Sequence, residues 1–262
     1  MVGHKNSGKT TVIEGIVHEL TKRQYRVATA KHIPQKGFSM DTGGKDTWRH
    51  SAAGANPVVS VSDAETAVLI KNGETKFCLD QLLRFTSEID AIVLEGFSRL
   101  VLDDENVSKI LCVRNREEYC DFRQKTRGEI IAFCSVRPLG KPILRIKEDH
   151  QILVGRVLRY IKRKRKILTI LSRLPGLNCG KCGHSSCEEM AVAIYRRKAK
   201  LNDCVTLRLR SKLKTRITFN DAEAPIQLFV SEIIRNSLLG MVSTLKGISI
   251  SGNEKIEVKI LS

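Results

Sequence analysis

Near the N-terminus, Gly3-His4-Lys5-Asn6-Ser7-Gly8-Lys9-Thr10 follows the pattern G-x-x-x-x-G-K-[ST]. The chemistry of this pattern is phosphate binding. Gly3 and Gly8 let the backbone fold tightly around phosphate oxygens, and the N–H groups from Asn6 and Ser7 through Thr11 converge on the anion at a helix N-terminus. Lys9 supplies a positive charge to the β and γ phosphates, and Thr10 offers a hydroxyl to Mg²⁺. A purine nucleoside triphosphate is the expected ligand. The chain has no Asn-Lys-x-Asp stretch to read guanine, so these residues do not by themselves separate GTP from ATP. A loop of this kind normally follows a buried strand. Only Met1 and Val2 precede Gly3, and the expectation is that further apolar residues lie upstream.

A second chemical pattern is Cys179-x2-Cys182-x4-Cys187-x16-Cys204. Four thiolates complete the ligand set of a cubane [4Fe-4S] cluster or of a tetrahedral zinc, and unligated thiols are the third reading. Gly180 and Gly183 give the backbone freedom to turn N–H groups toward sulfur. His184 is a spare donor beside a full set and is expected to face solvent. Cys78, Cys112, Cys120 and Cys134 are dispersed and read as small buried thiols.

Charged and small residues cluster in two further places. Asp90-Ala-Ile-Val-Leu-Glu95-Gly96-Phe97 is an apolar run with a carboxylate at its C-terminal end, where parallel sheets place ligands, so Glu95 is a candidate to hold Mg²⁺ or orient its water. Lys31-His32 follows a short strand, and Asp41 to Ala55 (DTGGKDTWRHSAAGA) is dense in charge and glycine. Such a segment suits a loop around an anion, with Lys45, Asp46, Arg49 and His50 as candidates beside Lys31 and His32.

The elements that would carry these residues alternate. Apolar positions 12, 13, 16, 17 and 20 predict an amphipathic helix over residues 11–24, and strands are expected at 26–30, 58–61, 67–70, 91–94, 110–113, 130–134 and 143–146. Leu79 to Phe85 is the clearest helix between them. This order predicts an α/β, P-loop NTPase-like fold with a mostly parallel sheet flanked by helices, over residues 1–150. A basic linker helix (151–174), ended by Pro175 and Gly176, leads to a small helical iron-sulfur module (175–210) in which Glu188 to Leu201 reads as a helix. A short α+β tail (211–262) follows, with strands at 217–219, 248–251 and 255–260 and a helix from about 229 to 245.

Charge separates the regions further. The net +17 divides into +3 for residues 1–150, +15 for 151–216 and −1 for 217–262. Lys162 to Lys166, then Arg196 to Lys200, then an alternating Arg208, Arg210, Lys212, Lys214, Arg216 carry it, the last predicted on one face of a strand. A solvated basic surface and a site for an anionic partner both fit this pattern. Only Tyr160 and Tyr195 lie near the basic clusters, which gives no base-stacking platform and argues against a nucleic-acid partner. The chain has neither a run of 18 apolar residues nor a signal-peptide order in its first twenty, so the expected compartment is the cytosol and no membrane span is predicted.

The GHKNSGKTT start, the Lys31-His32 pair, GKDTWRHSAAGA, LEGF and Ser108-Lys109-Ile110 to Arg114 together resemble the molybdopterin-guanine dinucleotide biosynthesis protein B family, over roughly residues 1–150. The resemblance implies a dimeric protein that binds GTP with Mg²⁺ and assists the nucleotidyltransferase that attaches GMP to molybdopterin. It places Gly3 to Thr11 on the phosphates, Glu95 near the metal, and Asp46, Arg49 and His50 in the family's signature loop. LPGLNCGKCGHSSCEEMAVAI with the later Asp203-Cys204 resembles the four-cysteine iron-sulfur domain of electron-transfer and corrinoid iron-sulfur proteins, which implies [4Fe-4S]. The expected function is therefore a GTP-binding accessory protein of molybdenum or tungsten cofactor formation, with at most weak GTPase activity. The alternative is a P-loop ATPase acting as an iron-sulfur or metal chaperone.

Overall fold

The structure, a computed structural model, describes residues 1–71, 82, 88–210, 215, 217–219, 222–224, 226 and 228–248. The chain divides into two compact units, Met1–Ile161 and Lys162–Ser262.

The first unit is built on parallel strands. β1 (Val2–Gly3), β6 (Lys109–Cys112), β7 (Ile130–Ser135) and β8 (Leu144–Arg145) pair in that order, with Val2 opposite Leu111 and Gly3 opposite Cys112. β2 (Val27–Lys31) pairs in parallel with β5 (Ala91–Glu95), setting Lys31 opposite Glu95. The two sheets meet at the chain start, where the Met1 amine donates to Leu94 O at 2.7 Å and Gly96 N–H donates to Met1 O at 3.4 Å. Beside that meeting, an apolar cavity of about 330 Å³ lies between β5 and β6. β3 (Val58–Val61) and β4 (Thr66–Leu69) form a separate antiparallel hairpin.

Side chains alternate along β6, and each set is covered. Ile110 and Cys112 join α1 (Lys9–Lys22), through Val12, Ile13, Ile16 and Leu20, and the start of α5 (His150–Leu171), through Leu153 and Val157. Leu111 and Val113 point the other way, onto Phe97 and Val101 of the α3 turn (Ser98–Val101) and Tyr119 and Phe122 of α4 (Arg116–Lys125). Burial of both faces explains why the strands read as continuous apolar runs. Gly15 lets α1 approach α5, because a Cβ there would overlap the His150 ring. Lys109 is 1% exposed, and its Nζ donates to Asp104 O and to Arg127 O at 2.6 Å. Burial pushes its pKa below the ordinary lysine value, and nearby carboxylates oppose the shift.

The second unit packs the last part of α5 against α6 (Cys187–Tyr195) through Ile167, Leu174, Met190 and Ala191. A short 3-10 turn, Leu201–Asp203, then leads to α7 (Val205–Arg210), the hairpin β9–β10 (Ile217–Phe219, Ala222–Ala224) and α8 (Leu228–Ser243).

Three expectations are corrected. The helix expected to run from Glu188 to Leu201 ends at Tyr195, because Arg197 turns left-handed (φ 60°) and the N–H groups of Arg197 and Lys198 fold back onto Ile194 O and Ala193 O. Arg208 and Arg210 lie on α7, not on a strand, as the Arg208 N–H bond to Cys204 O shows. Cys120 is exposed, since Tyr119 and Phe122 take the inward face of α4; Cys112 and Cys134 are buried as expected. Cys78, Lys212, Lys214, Arg216, residues 249–251 of the strand expected at 248–251, the strand expected at 255–260, and all of the helix expected at 79–85 except Leu82 fall outside the described residues. Among the described residues, no helix is long and apolar enough to cross a membrane.

Candidate nucleotide and iron-sulfur sites

The phosphate loop runs from β1 into α1. Asn6 (φ 62°) and Gly8 (φ 86°) turn left-handed on either side of Ser7, whose N–H donates to His4 O at 3.3 Å. Gly3 is required by close approach: a Cβ there would overlap the Cys112 carbonyl oxygen and lie 2.6 Å from Ser7 Oγ. Gly8 is required twice, by its left-handed backbone and by Val136 and Ile146 against it. The Ser7 side chain is buried, and its hydroxyl has no hydrogen-bond partner among the described residues. Lys9 Nζ folds back and donates to His4 O at 2.7 Å, while His4 packs its ring 5.7 Å from Phe122.

Thr10, Glu95 and Lys31 converge at the C-terminal ends of β2 and β5. Thr10 Oγ1 donates to Glu95 Oε1 at 3.4 Å, and Lys31 Nζ lies 3.7 Å from Glu95 Oε2. His32 N–H donates to Glu95 O at 2.8 Å, and its ring packs against Phe97 at 5.6 Å. The register of β2 on β5 sets this grouping, since it fixes Lys31 opposite Glu95.

Asp46, Arg49 and His50 sit on α2 (Asp46–Ala52), all exposed. Arg49 pairs with Asp46 at 3.6 Å, and the hydrogen bonds of this segment remain within residues 39–55. The loop expected around an anion thus holds a short helix, and among the described residues no hydrogen bond joins it to Lys9 or Glu95.

In the second unit, Cys182, Cys187 and Cys204 share one apolar cluster, while Cys179 stays exposed. Among the described residues no three His, Cys, Asp or Glu side chains gather on the scale of a single metal ion. The donor set is nonetheless four thiols in one small module. Gly180 (φ 70°) turns the chain left-handed directly after Cys179. The Thr206 hydroxyl lies 3.4 Å from Cys179 Sγ. That contact, then the Lys181 amide, holds the Cys179 thiol below the ordinary cysteine range. Cys187 opens α6 behind a Ser186 cap, with Ser185 N–H donating to Glu189 at 2.6 Å, and its own N–H donates to Asn178 Oδ1 at 2.8 Å. His184 is half-buried. The sequence reading missed Asn178 and Thr206. An Asn before the first cysteine was a usable signal for a left-handed turn (φ 46°); nothing local marks Thr206.

A glycine-rich G-x-x-x-x-G-K-[ST] loop between a parallel strand and its helix, with a carboxylate at the end of β5, defines the class as an α/β protein of the P-loop kind. Residues 1–136 match the family described as "Molybdopterin guanine dinucleotide synthesis protein B", MobB, and the chain belongs to that family. Residues 174–206 match the family described as "Putative Fe-S cluster". The chain is 28% identical to a "Putative molybdopterin-guanine dinucleotide biosynthesis adapter protein" of Methanocaldococcus jannaschii, over 99% of its own length and 96% of that relative's. It is 33% identical to a molybdopterin-guanine dinucleotide biosynthesis adapter protein of Haemophilus influenzae, over 44% of this chain and 61% of that one. A crystal structure of molybdopterin-guanine biosynthesis protein B is similar with a TM-score of 0.46 and 26% identity, over 62% of this chain and 96% of that one.

Proposed function

We propose that the protein is an adapter in molybdopterin guanine dinucleotide synthesis that binds GTP with Mg²⁺ in its first unit and holds a [4Fe-4S] cluster in its second. The observation that carries the nucleotide half is the grouping of Thr10 and Glu95 at the mouth of the Gly3–Thr10 loop, 3.4 Å apart. Neighbouring ligands of an octahedral Mg²⁺ with bonds of about 2.1 Å sit roughly 3 Å apart, so the two oxygens need little movement to share one ion. The unpartnered Ser7 hydroxyl fits a phosphate, and Lys9 would exchange the His4 carbonyl for it. Lys31 and His32 flank the same end, and Asp46, Arg49 and His50 would join it by movement of the exposed α2 segment. The choice of GTP follows the family. The domain limits proposed are 1–150 for the nucleotide domain, 151–174 for the basic linker helix, 175–210 for the iron-sulfur module and 211–262 for the tail.

Its partners on this reading are the nucleotidyltransferase that attaches GMP to molybdopterin, with its pterin, and a second copy of the chain. The hairpin β3–β4 supports the second copy, with Val59, Val61, Val68 and Ile70 exposed. The four cysteines would hold a cluster, whose chemistry is one-electron transfer. The test is a GMP-transfer assay with molybdopterin, GTP and the nucleotidyltransferase. Added protein is expected to raise the rate, and Lys9→Ala to remove most of that gain; equal stimulation by Lys9→Ala would contradict the proposal.

A further inference from the structure

Of the four candidate ligands, Cys179 alone is exposed; Cys187 and Cys204 are buried and Cys182 is half-buried. An exposed edge is where solvent and surrounding dipoles act most strongly on a cluster's potential. The half-buried Thr206 hydroxyl lies at this edge, 3.4 Å from Sγ. Thr206 comes from a different part of the chain, beyond Cys204, so the contact is tertiary.

Either the thiol or the hydroxyl can donate in this pair. A metal-bound cysteine carries no proton, so its sulfur can only accept, and the Thr206 hydroxyl must then be the donor. A donor to a cluster thiolate stabilises the more negative, reduced state more than the oxidised one. Reduction adds negative charge to a sulfur that is already anionic, and a hydrogen bond strengthens as the charge on its acceptor grows.

We infer that Thr206 is a positioning residue for the iron-sulfur module, whose hydroxyl donates to the Cys179 thiolate and raises the cluster's reduction potential. This rests on the iron-sulfur reading above. It adds a role that neither the family match nor the cysteine spacing supplies.

The experiment is anaerobic reconstitution of the full chain with iron and sulfide, followed by an EPR-monitored redox titration with dithionite as reductant. Wild type, Thr206→Val and Thr206→Ser are compared at equal iron content. Thr206→Val keeps the shape and loses the hydroxyl, and is expected to lower the reduced-to-oxidised ratio at fixed potential by about tenfold, which for one electron is a shift of about 59 mV. Thr206→Ser is expected to restore the wild-type value, a rescue that a merely packing role would not produce. An unmoved potential in Thr206→Val at full iron content overturns the role of Thr206 and leaves the iron-sulfur reading standing. A wild type that takes up no iron and sulfide overturns both.

Discussion

Substituting Gly3 by alanine tests the geometry on which the nucleotide site depends. The new Cβ would overlap the Cys112 carbonyl oxygen and lie 2.6 Å from Ser7 Oγ and 3.1 Å from Cys112 Cβ. The serine hydroxyl can rotate away; the carbonyl belongs to the β6 backbone opposite Gly3 and cannot. Relief requires β1 to withdraw from β6. The loss of about two ladder hydrogen bonds at roughly 1 kcal/mol each, plus local backbone strain, gives about 3 kcal/mol. For a unit of this size that corresponds to a melting-temperature drop of roughly 6–12 °C. The phosphate loop would move with β1, and loss of one hydrogen bond to a charged phosphate, about 1.5–3 kcal/mol, is expected to weaken nucleotide binding by roughly tenfold to a hundredfold. Thermal melts followed by circular dichroism and calorimetric titration with GTP and Mg²⁺ read both effects. A Gly3→Ala protein that melts and binds like wild type would refute the argument that the missing side chain is what allows β1 and the loop to close.

Three other outcomes follow from the structure. Lys109→Met keeps the side-chain volume but leaves Asp104 O and Arg127 O without their donor, and is expected to cost about 1–3 kcal/mol in urea unfolding. Burial raises the Cys112 thiol to about 12 and pushes Cys134 up as well, whereas Cys120 is exposed; mass spectrometry after alkylation at pH 8 should find Cys120 labelled, with Cys112 and Cys134 labelled only on unfolding. The Glu118 carboxyl is held below its ordinary value because hydrogen bonds from Arg114 outweigh desolvation. Its folded pKa is thus below its unfolded one. The stability it contributes is present above the unfolded value of 4.5 and is lost as pH falls through the folded value, so Glu118→Gln should flatten the acid limb of a stability-against-pH profile below about pH 4.5.

What could be read from the sequence was local. The phosphate loop and the cysteine set are short patterns whose spacing carries the chemistry. The alternation of apolar runs placed the strands of the first unit, because strands buried on both faces read as unbroken apolar segments. Strand order was not legible: nothing around Val2 indicates a partner at Leu111, since that pairing is decided by which helices cover each face. The grouping of Lys31 with Glu95 depends on the same non-local register. Arg208 and Arg210, the described part of the alternating basic run, depart from expectation for the opposite reason. A period of two in charge reads as a strand, but Val205 to Arg210 continue from Cys204 as a helical turn, and exposed charges impose no period on the backbone. Thr206 was invisible because its role comes from a contact with Cys179 across the module.

The central claim is that one chain joins a GTP site to an iron-sulfur site. Metal, sulfide and nucleotide analysis of a single anaerobic preparation tests it most directly, with Cys182→Ala alongside. About four iron and four sulfide per chain are expected, with GTP bound in preference to ATP and iron lost but GTP affinity retained in Cys182→Ala. One zinc per chain with preference for ATP would contradict the account.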